Sequence, residues 1–384
     1  MTVKTILLDF RLKKNLDQDV LDNKIISTFE EYFKISLFRV SHNILNNFSQ
    51  IWIYSDKDSN SPFIISIKSW DNTQEKEISS ILTMNIEYSS KRFTELLTCD
   101  VIELEKRLTE CFPQGFCDKA KSFPVIERGL EFSDYLTTSD NRIVQYNYER
   151  VLFSQSSIYQ DIMIVDTIDH GRMLLLDDLV NLAENDTSFY TQSLMFGNDF
   201  DGKDILILGG GDGGLLKEIL DNYKPAFVTM IDIDELVIKA VKEHMPSVCG
   251  EYFNDMQGSN YEVIIGDAFQ YMEERIKERK TYDFIFGDLT DTPVPSSSNM
   301  NEIGIDDKFK WDLICSALSK SIRLLKPAEG KYLTHCNGKS VPLALKTFEN
   351  LVTQKFNCSY ERKETFVPSF MEIWVFYEVS PSAS

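Results

Sequence analysis

The chain has 384 residues, 43% of them hydrophobic and 26% charged, a balance that excludes a disordered polymer and allows more than one compact core. Sixty acidic residues against forty basic ones give a net charge of −20, a field that repels nucleic acid and anionic membranes and attracts cations. No apolar run reaches the roughly 20 residues of a membrane span, and the opening stretch 1–9 has neither the long apolar segment nor the cleavage site of a signal peptide, so a cytoplasmic protein is expected.

Residues 1–125 read as an N-terminal α+β domain. Runs rich in β-branched and aromatic residues predict strands at 3–12, 35–40, 50–54, 63–70 and 81–88. Between the first two, Val20, Leu21, Ile25, Phe29 and Phe33 share one face of a predicted helix. After the last strand, Phe93, Leu96, Leu97, Val101, Leu104 and Leu108 repeat that spacing. The domain has no glycine loop and no carboxylates grouped beside a histidine, which points to a structural or interface role. The stretch 111–124, with its Pro, Gly and small polar residues, predicts a linker.

Residues 126–190 alternate like β-hairpins at 143–148, 161–165 and 173–176, and predict a small central β-strand domain. His170, just before Gly171, falls in one of the turns. From 191 to 384 the pattern changes to strand, helix, strand, helix. Short apolar runs at 205–208, 227–231, 262–265, 284–286 and 332–334 predict an α/β catalytic domain, a Rossmann-like doubly wound parallel sheet of the methyltransferase kind. Such sheets bind ligands at the carboxyl ends of their strands.

The run Gly209-Gly210-Gly211-Asp212-Gly213-Gly214 directly follows the first of those strands. Its glycines permit a sharp turn and a close approach of backbone to ligand. A loop of this kind alone fits both NAD enzymes and nucleoside-binding transferases. Asp212 separates them, because a carboxylate repels a pyrophosphate but suits an ammonium or a sulfonium. Acids end three more strands: Asp232 with Asp234, Asp267 ahead of Ala268, and Asp288. Any one could be an N-cap. Four successive strand ends with acids predict a shared pocket for ribose hydroxyls, an exocyclic amine and cationic amines. The seven cysteines are scattered without a C-x-x-C pair, and the four histidines lack metal-ligand spacing. Buried thiols and no metal site are therefore expected.

The glycine–aspartate run, the strand-end acids and Asp288-Leu289-Thr290 resemble the aminopropyltransferase family of polyamine biosynthesis. The stretches 180–184, 202–208 and 367–377 are similar to its spermine synthases, and the likeness is near-continuous from about 128 to 378. It implies transfer of an aminopropyl group from decarboxylated S-adenosylmethionine to spermidine, giving spermine and methylthioadenosine. That donor is a co-substrate, and no cofactor or metal is implied. Gln160, Asp212, Asp232, Asp267 and Ala268 match donor-binding positions: Asp232 for the ribose hydroxyls, Asp267 with Ala268 for the adenine end, Asp212 for the aminopropyl ammonium. Tyr190, Asp212, Phe370 and Glu372 match polyamine-binding positions, and Asp288 matches the proton acceptor. The unit at 1–125 corresponds to a domain resembling S-adenosylmethionine decarboxylase, which implies a homodimer.

Two departures bear on the acceptor. Phe370 stands where the family usually has tyrosine, and Asp291 makes an Asp-x-x-Asp pattern more typical of spermidine synthases. Putrescine is thus the alternative acceptor. An S-adenosylmethionine-dependent methyltransferase, which would share the sheet, is the other alternative. Pro293, Pro295 and the serines at 296–298 predict a long loop over 290–307 beside Asp288.

Overall fold

The computed structural model describes residues 2–13, 20–46, 49–57, 62–71, 80–89, 100–289 and 305–382. The chain divides into two compact units, 1–133 and 134–384.

The first unit is built on an antiparallel sheet ordered β2-β3-β4-β5-β1-β6. Its strands are β1 (Val3–Leu12), β2 (Leu37–Asn46), β3 (Ser49–Asp56), β4 (Phe63–Asp71), β5 (Ser80–Ser89) and β6 (Cys117–Ser122), and β7 (Ile126–Arg128) also pairs with β1. Strand alternation puts Ile6, Leu8, Phe10 and Leu12 on the buried face of β1, all with no exposure. Helix α1 (Ile26–Phe33), preceded by a π-helical turn at Leu21–Ile25, adds Phe29 and Phe33 to this core. Helix α2 (Val101–Glu110) adds Leu104 and Leu108, and Asp100 caps it by accepting the Ile102 and Glu103 N–H groups. Phe93, Leu96 and Leu97 lie outside the described residues.

The stretch expected to be a linker contains a sheet strand. Residues 117–122 pair antiparallel with β1 through 8–12. Their Asp118, Lys119 and Lys121 side chains stay in water, as suits the last strand of a sheet. Backbone pairing supplied what the side-chain pattern did not announce.

The second unit holds a four-stranded meander of β10 (Tyr148–Ser156), β11 (Asp161–Thr167), β12 (Gly171–Leu176) and β13 (Leu179–Ala183), beside the short pair β8 (Tyr135–Thr137) and β9 (Ile143–Gln145). Helix α3 (Thr187–Leu194) leads into a seven-stranded sheet ordered β16-β15-β14-β17-β18-β20-β19. The strands β14 (Asp204–Gly209), β15 (Phe227–Asp232), β16 (Tyr261–Ile265), β17 (Phe284–Asp288) and β18 (Lys331–Gly338) run parallel, at the positions the sequence predicts. Helices α4 (Gly214–Asn222), α5 (Glu235–His244), α6 (Ala268–Glu278), α7 (Ile305–Leu324) and α8 (Pro342–Asn350) follow or precede them.

Buried residues alternate between two layers. Ile205, Ile207, Met230 and Phe286 join one core, and Leu206, Leu208, Ile231 and Ile285 the other. This is the doubly wound α/β arrangement. The sheet ends in an antiparallel hairpin, β19 (Cys358–Val367) with β20 (Glu372–Pro381), where β20 also pairs with β18. The chain reverses direction across the sheet between β14 and β17, and a crevice opens at such a switch point. Among the described residues, no helix is long and apolar enough to cross a membrane.

Candidate active site

The glycine loop leaves β14 at this switch point. Gly209 has φ +83, and a Cβ there would collide with the Asp288 carbonyl oxygen. Its absence lets the Gly210 N–H bond to that same carbonyl at 3.2 Å. A Cβ at Gly211 would come within 2.7 Å of an Asp232 carboxylate oxygen. Without one, the Gly211 N–H donates to Asp232 Oδ2 at 2.8 Å. The loop thus draws two acids against its own backbone.

Asp212, within the loop, is 8% exposed. Its Oδ1 accepts the Gly214 N–H at 2.7 Å and its Oδ2 the Asn181 amide at 3.4 Å. Burial, then the nearby charge of Asp288, pushes this carboxyl up to about 7 against the Gly214 bond; Asp232 adds to the rise and Asn181 opposes it. Burial also raises Asp232, opposed by the Asp234 and Gly211 N–H bonds, while Asp234 and Asp288 push it further up.

Asp288 ends β17. Its Oδ1 accepts the Tyr190 hydroxyl at 2.9 Å, and His335 Nε2 lies 3.9 Å from the same oxygen. Tyr190 projects from α3. Gln160, in the β10–β11 turn, donates through Nε2 to Asp234 Oδ2 at 3.0 Å, which also accepts the Ser157 hydroxyl at 2.6 Å. Asp234 caps α5 through Leu236, and Asp267 caps α6 through Phe269 and Gln270.

These groups surround one cavity of about 510 Å³. Gln160, Tyr190, Asp212, Asp232, Asp267, Ala268, Asp288 and Phe370 all line it. Glu372 does not. Met371, at φ +53, turns the chain between Phe370 and Glu372. The Glu372 carboxylate, 5% exposed, is taken up by the Ser139 N–H at 2.7 Å, the Ser139 hydroxyl, and the Ser340 hydroxyl at 3.1 Å. Asp291 lies outside the described residues, as does the predicted loop except for its last three positions.

The sequence reading passed over His335 and Trp374, which also line the cavity. His335 sits near the end of a parallel strand, so the strand-end rule that found the acids would have found it. Trp374 lies inside an antiparallel strand and carries no such signal. Phe370 meets Tyr190 edge-on at 6.1 Å and Trp374 at 4.9 Å, which gives the cavity an aromatic wall facing its acidic one. Among the described residues there is no group of three or more His, Cys, Asp or Glu able to hold a metal ion.

Residues 192–380 match the family model described as the spermine/spermidine synthase domain, and 132–184 the one described as the spermidine synthase tetramerisation domain. A polyamine aminopropyltransferase of Pyrobaculum calidifontis is 38% identical over 149 residues, covering 38% of this chain and 50% of that protein. The chain spans about half the length of the curated relatives it matches. The crystal structure of spermidine synthase from Thermotoga maritima aligns with a TM-score of 0.51 at 19% identity, over 65% of this chain and 79% of that one. A spermidine synthase in complex with the transition-state analogue AdoDATO aligns equally, at 20% identity over 66% and 82%. With both domain models in sequence order and the glycine–acid crevice at the switch point of the shared fold, the chain belongs to the spermine/spermidine synthase family.

Proposed function

We propose that the chain is an aminopropyltransferase that moves the aminopropyl group of decarboxylated S-adenosylmethionine onto spermidine, giving spermine and methylthioadenosine. One observation carries this reading: Asp212, Asp232 and Asp288 converge so closely, and so far from water, that Asp212 is held at about 7. Like charges confined in this way are relieved by cations. The donor offers a sulfonium and an ammonium, and a polyamine offers several ammonium groups. A dinucleotide would add negative charge, and intact S-adenosylmethionine would bring a carboxylate towards Asp212. The AdoDATO complex of a spermidine synthase supports the choice of donor.

The chemistry is an in-line displacement. A primary ammonium with a pKa near about 10 has no lone pair, so one proton must leave it before attack. Asp288 is the proposed acceptor of that proton, directly or through a water. The Tyr190 hydroxyl on Oδ1 stabilises the carboxylate form and fixes its direction. The freed nitrogen attacks the methylene carbon next to sulfur, the C–S bond breaks, and its electron pair returns to sulfur. The sulfonium is already a good leaving group, so the site's task is alignment. Asp232 is proposed for the ribose hydroxyls, Asp267 with Ala268 and Gln160 for the nucleoside, and Asp212 for the aminopropyl ammonium. Tyr190 and Phe370 are proposed for the acceptor's methylenes.

Putrescine is the second reading. It is favoured by Phe370, which has no hydroxyl oxygen to accept a hydrogen bond from the extra ammonium of a longer acceptor, and by the spermidine synthases among the structural neighbours. A homodimer through the first unit and a cytoplasmic location accompany the proposal; the tetramerisation-domain match supports self-association. The test is product analysis with each acceptor, resolving spermine from thermospermine. The expected result is spermine formed one-for-one with methylthioadenosine. A methylated product from intact S-adenosylmethionine, with no methylthioadenosine from the decarboxylated donor, would refute it.

A further inference from the structure

Asp186 stands at the start of α3, where an aspartate ordinarily accepts the N–H groups of its own helix. Here its side chain makes no such cap. The carboxylate instead reaches a residue distant in sequence: Oδ2 accepts the Ser369 backbone N–H at 2.5 Å, and Oδ1 the Ser369 hydroxyl at 3.2 Å. Asp186 is 3% exposed and Ser369 fully buried. Burial pushes the Asp186 carboxyl up, while the two Ser369 donors, and more weakly His170, hold it down. A carboxylate withdrawn from water is tolerated only where donors replace that water. Both replacements come from this single residue.

The two ends of the link carry the aromatic wall. Tyr190 lies one turn along α3, its backbone N–H reaching the Asp186 carbonyl at 3.4 Å. Phe370 follows Ser369 in the short 3-10 turn Pro368–Phe370. Tyr146 holds the other side of the turn, its hydroxyl donating to the Ser369 carbonyl at 2.6 Å. Buried side chains therefore grip Ser369 by its N–H, its hydroxyl and its carbonyl. Asp232, by contrast, ends β15 and Asp267 follows β16, both across β14 from this turn.

We propose that Asp186 is a positioning residue for the polyamine acceptor: its bonds to Ser369 set the spacing of Tyr190 and Phe370, and so acceptor affinity, without touching either substrate. This rests on the aminopropyl reading of the cavity. The test is steady-state kinetics of the full chain with Asp186→Ala, Asp186→Asn and Tyr146→Phe, varying donor and acceptor separately.

Asp186→Ala should raise the KM for spermidine about tenfold, the loss of one charge-assisted bond, and leave the donor KM within about twofold. Asp186→Asn should restore most of the affinity, since its amide oxygen accepts the N–H and its NH2 group can donate to the Ser369 hydroxyl. Tyr146→Phe should raise the spermidine KM about threefold. Equal shifts in both KM values, or an Asn variant no better than Ala, would overturn the proposal. If Asp186→Ala does not fold, Tyr146→Phe decides, and an unchanged spermidine KM there overturns it. A wild-type protein that releases no methylthioadenosine with any polyamine would instead sink the aminopropyl reading. Calorimetric binding of spermidine to the same variants then judges the link by the same expected losses.

Discussion

Asp212→Asn tests the energetic core of the site. The carboxyl titrates at about 7 in the folded protein against 3.8 for the ordinary side chain. A carboxyl raised on folding contributes stability that is complete below about pH 4 and is lost as pH rises through the folded value. The gap between 3.8 and about 7 corresponds to about 4 kcal/mol at alkaline pH, and relaxation with water entry reduces the measurable part to about 2–4 kcal/mol. Asparagine removes the charge and keeps the shape, since its oxygen still accepts the Gly214 N–H that now lies at 2.7 Å. Urea denaturation without ligands should therefore show Asp212→Asn and wild type equal near about pH 4, with the variant increasingly more stable up to about pH 7 and the gap then level to about pH 8.5. Adding the decarboxylated donor at the higher pH should reverse the order, because only the wild-type carboxylate gains a cation. Parallel stability curves across this range, or a variant less stable than wild type at alkaline pH without ligand, would refute the reasoning.

Asp288→Asn should lower kcat by about 10²–10⁴-fold while calorimetric donor binding stays close to wild type; an unchanged kcat removes Asp288 from its assigned role. Tyr190→Phe, which deletes the hydroxyl 2.9 Å from Asp288, should lower kcat about tenfold and leave the ring's contact with Phe370 intact. Gly209→Ala should abolish donor binding or folding, since its Cβ meets the Asp288 backbone carbonyl at a positive φ; near-normal donor binding would contradict the close approach described for the loop.

The central sheet was legible because parallel strands buried on both faces read as unbroken apolar runs. Ile205–Leu208 lost all but traces of its exposure, and its run ends abruptly at glycine. The acids were legible for the related reason that a doubly wound sheet gathers the ends of its strands. Strand β6 was hidden because its sequence, Cys-Asp-Lys-Ala-Lys-Ser, carries no apolar alternation; it pairs through its backbone, which every residue shares. Glu372 was misdirected by its neighbours, since the turn at Met371 decides where it points, and a positive φ on methionine cannot be read from composition. The joining of Asp186 to Ser369 is a long-range pairing, and nothing local to either residue announces it.

The bond from Gly210 to the Asp288 carbonyl joins two parts of the proposed reaction that are usually pictured separately. The backbone proposed to cradle the donor and the strand that carries the proposed base are mechanically common. Thermal drift in one is carried into the other, so their separation varies only as much as a single hydrogen bond stretches. A substitution that loosens the cradle should therefore blur the aim of the base too, and binding defects and turnover defects in this loop should be inherited together.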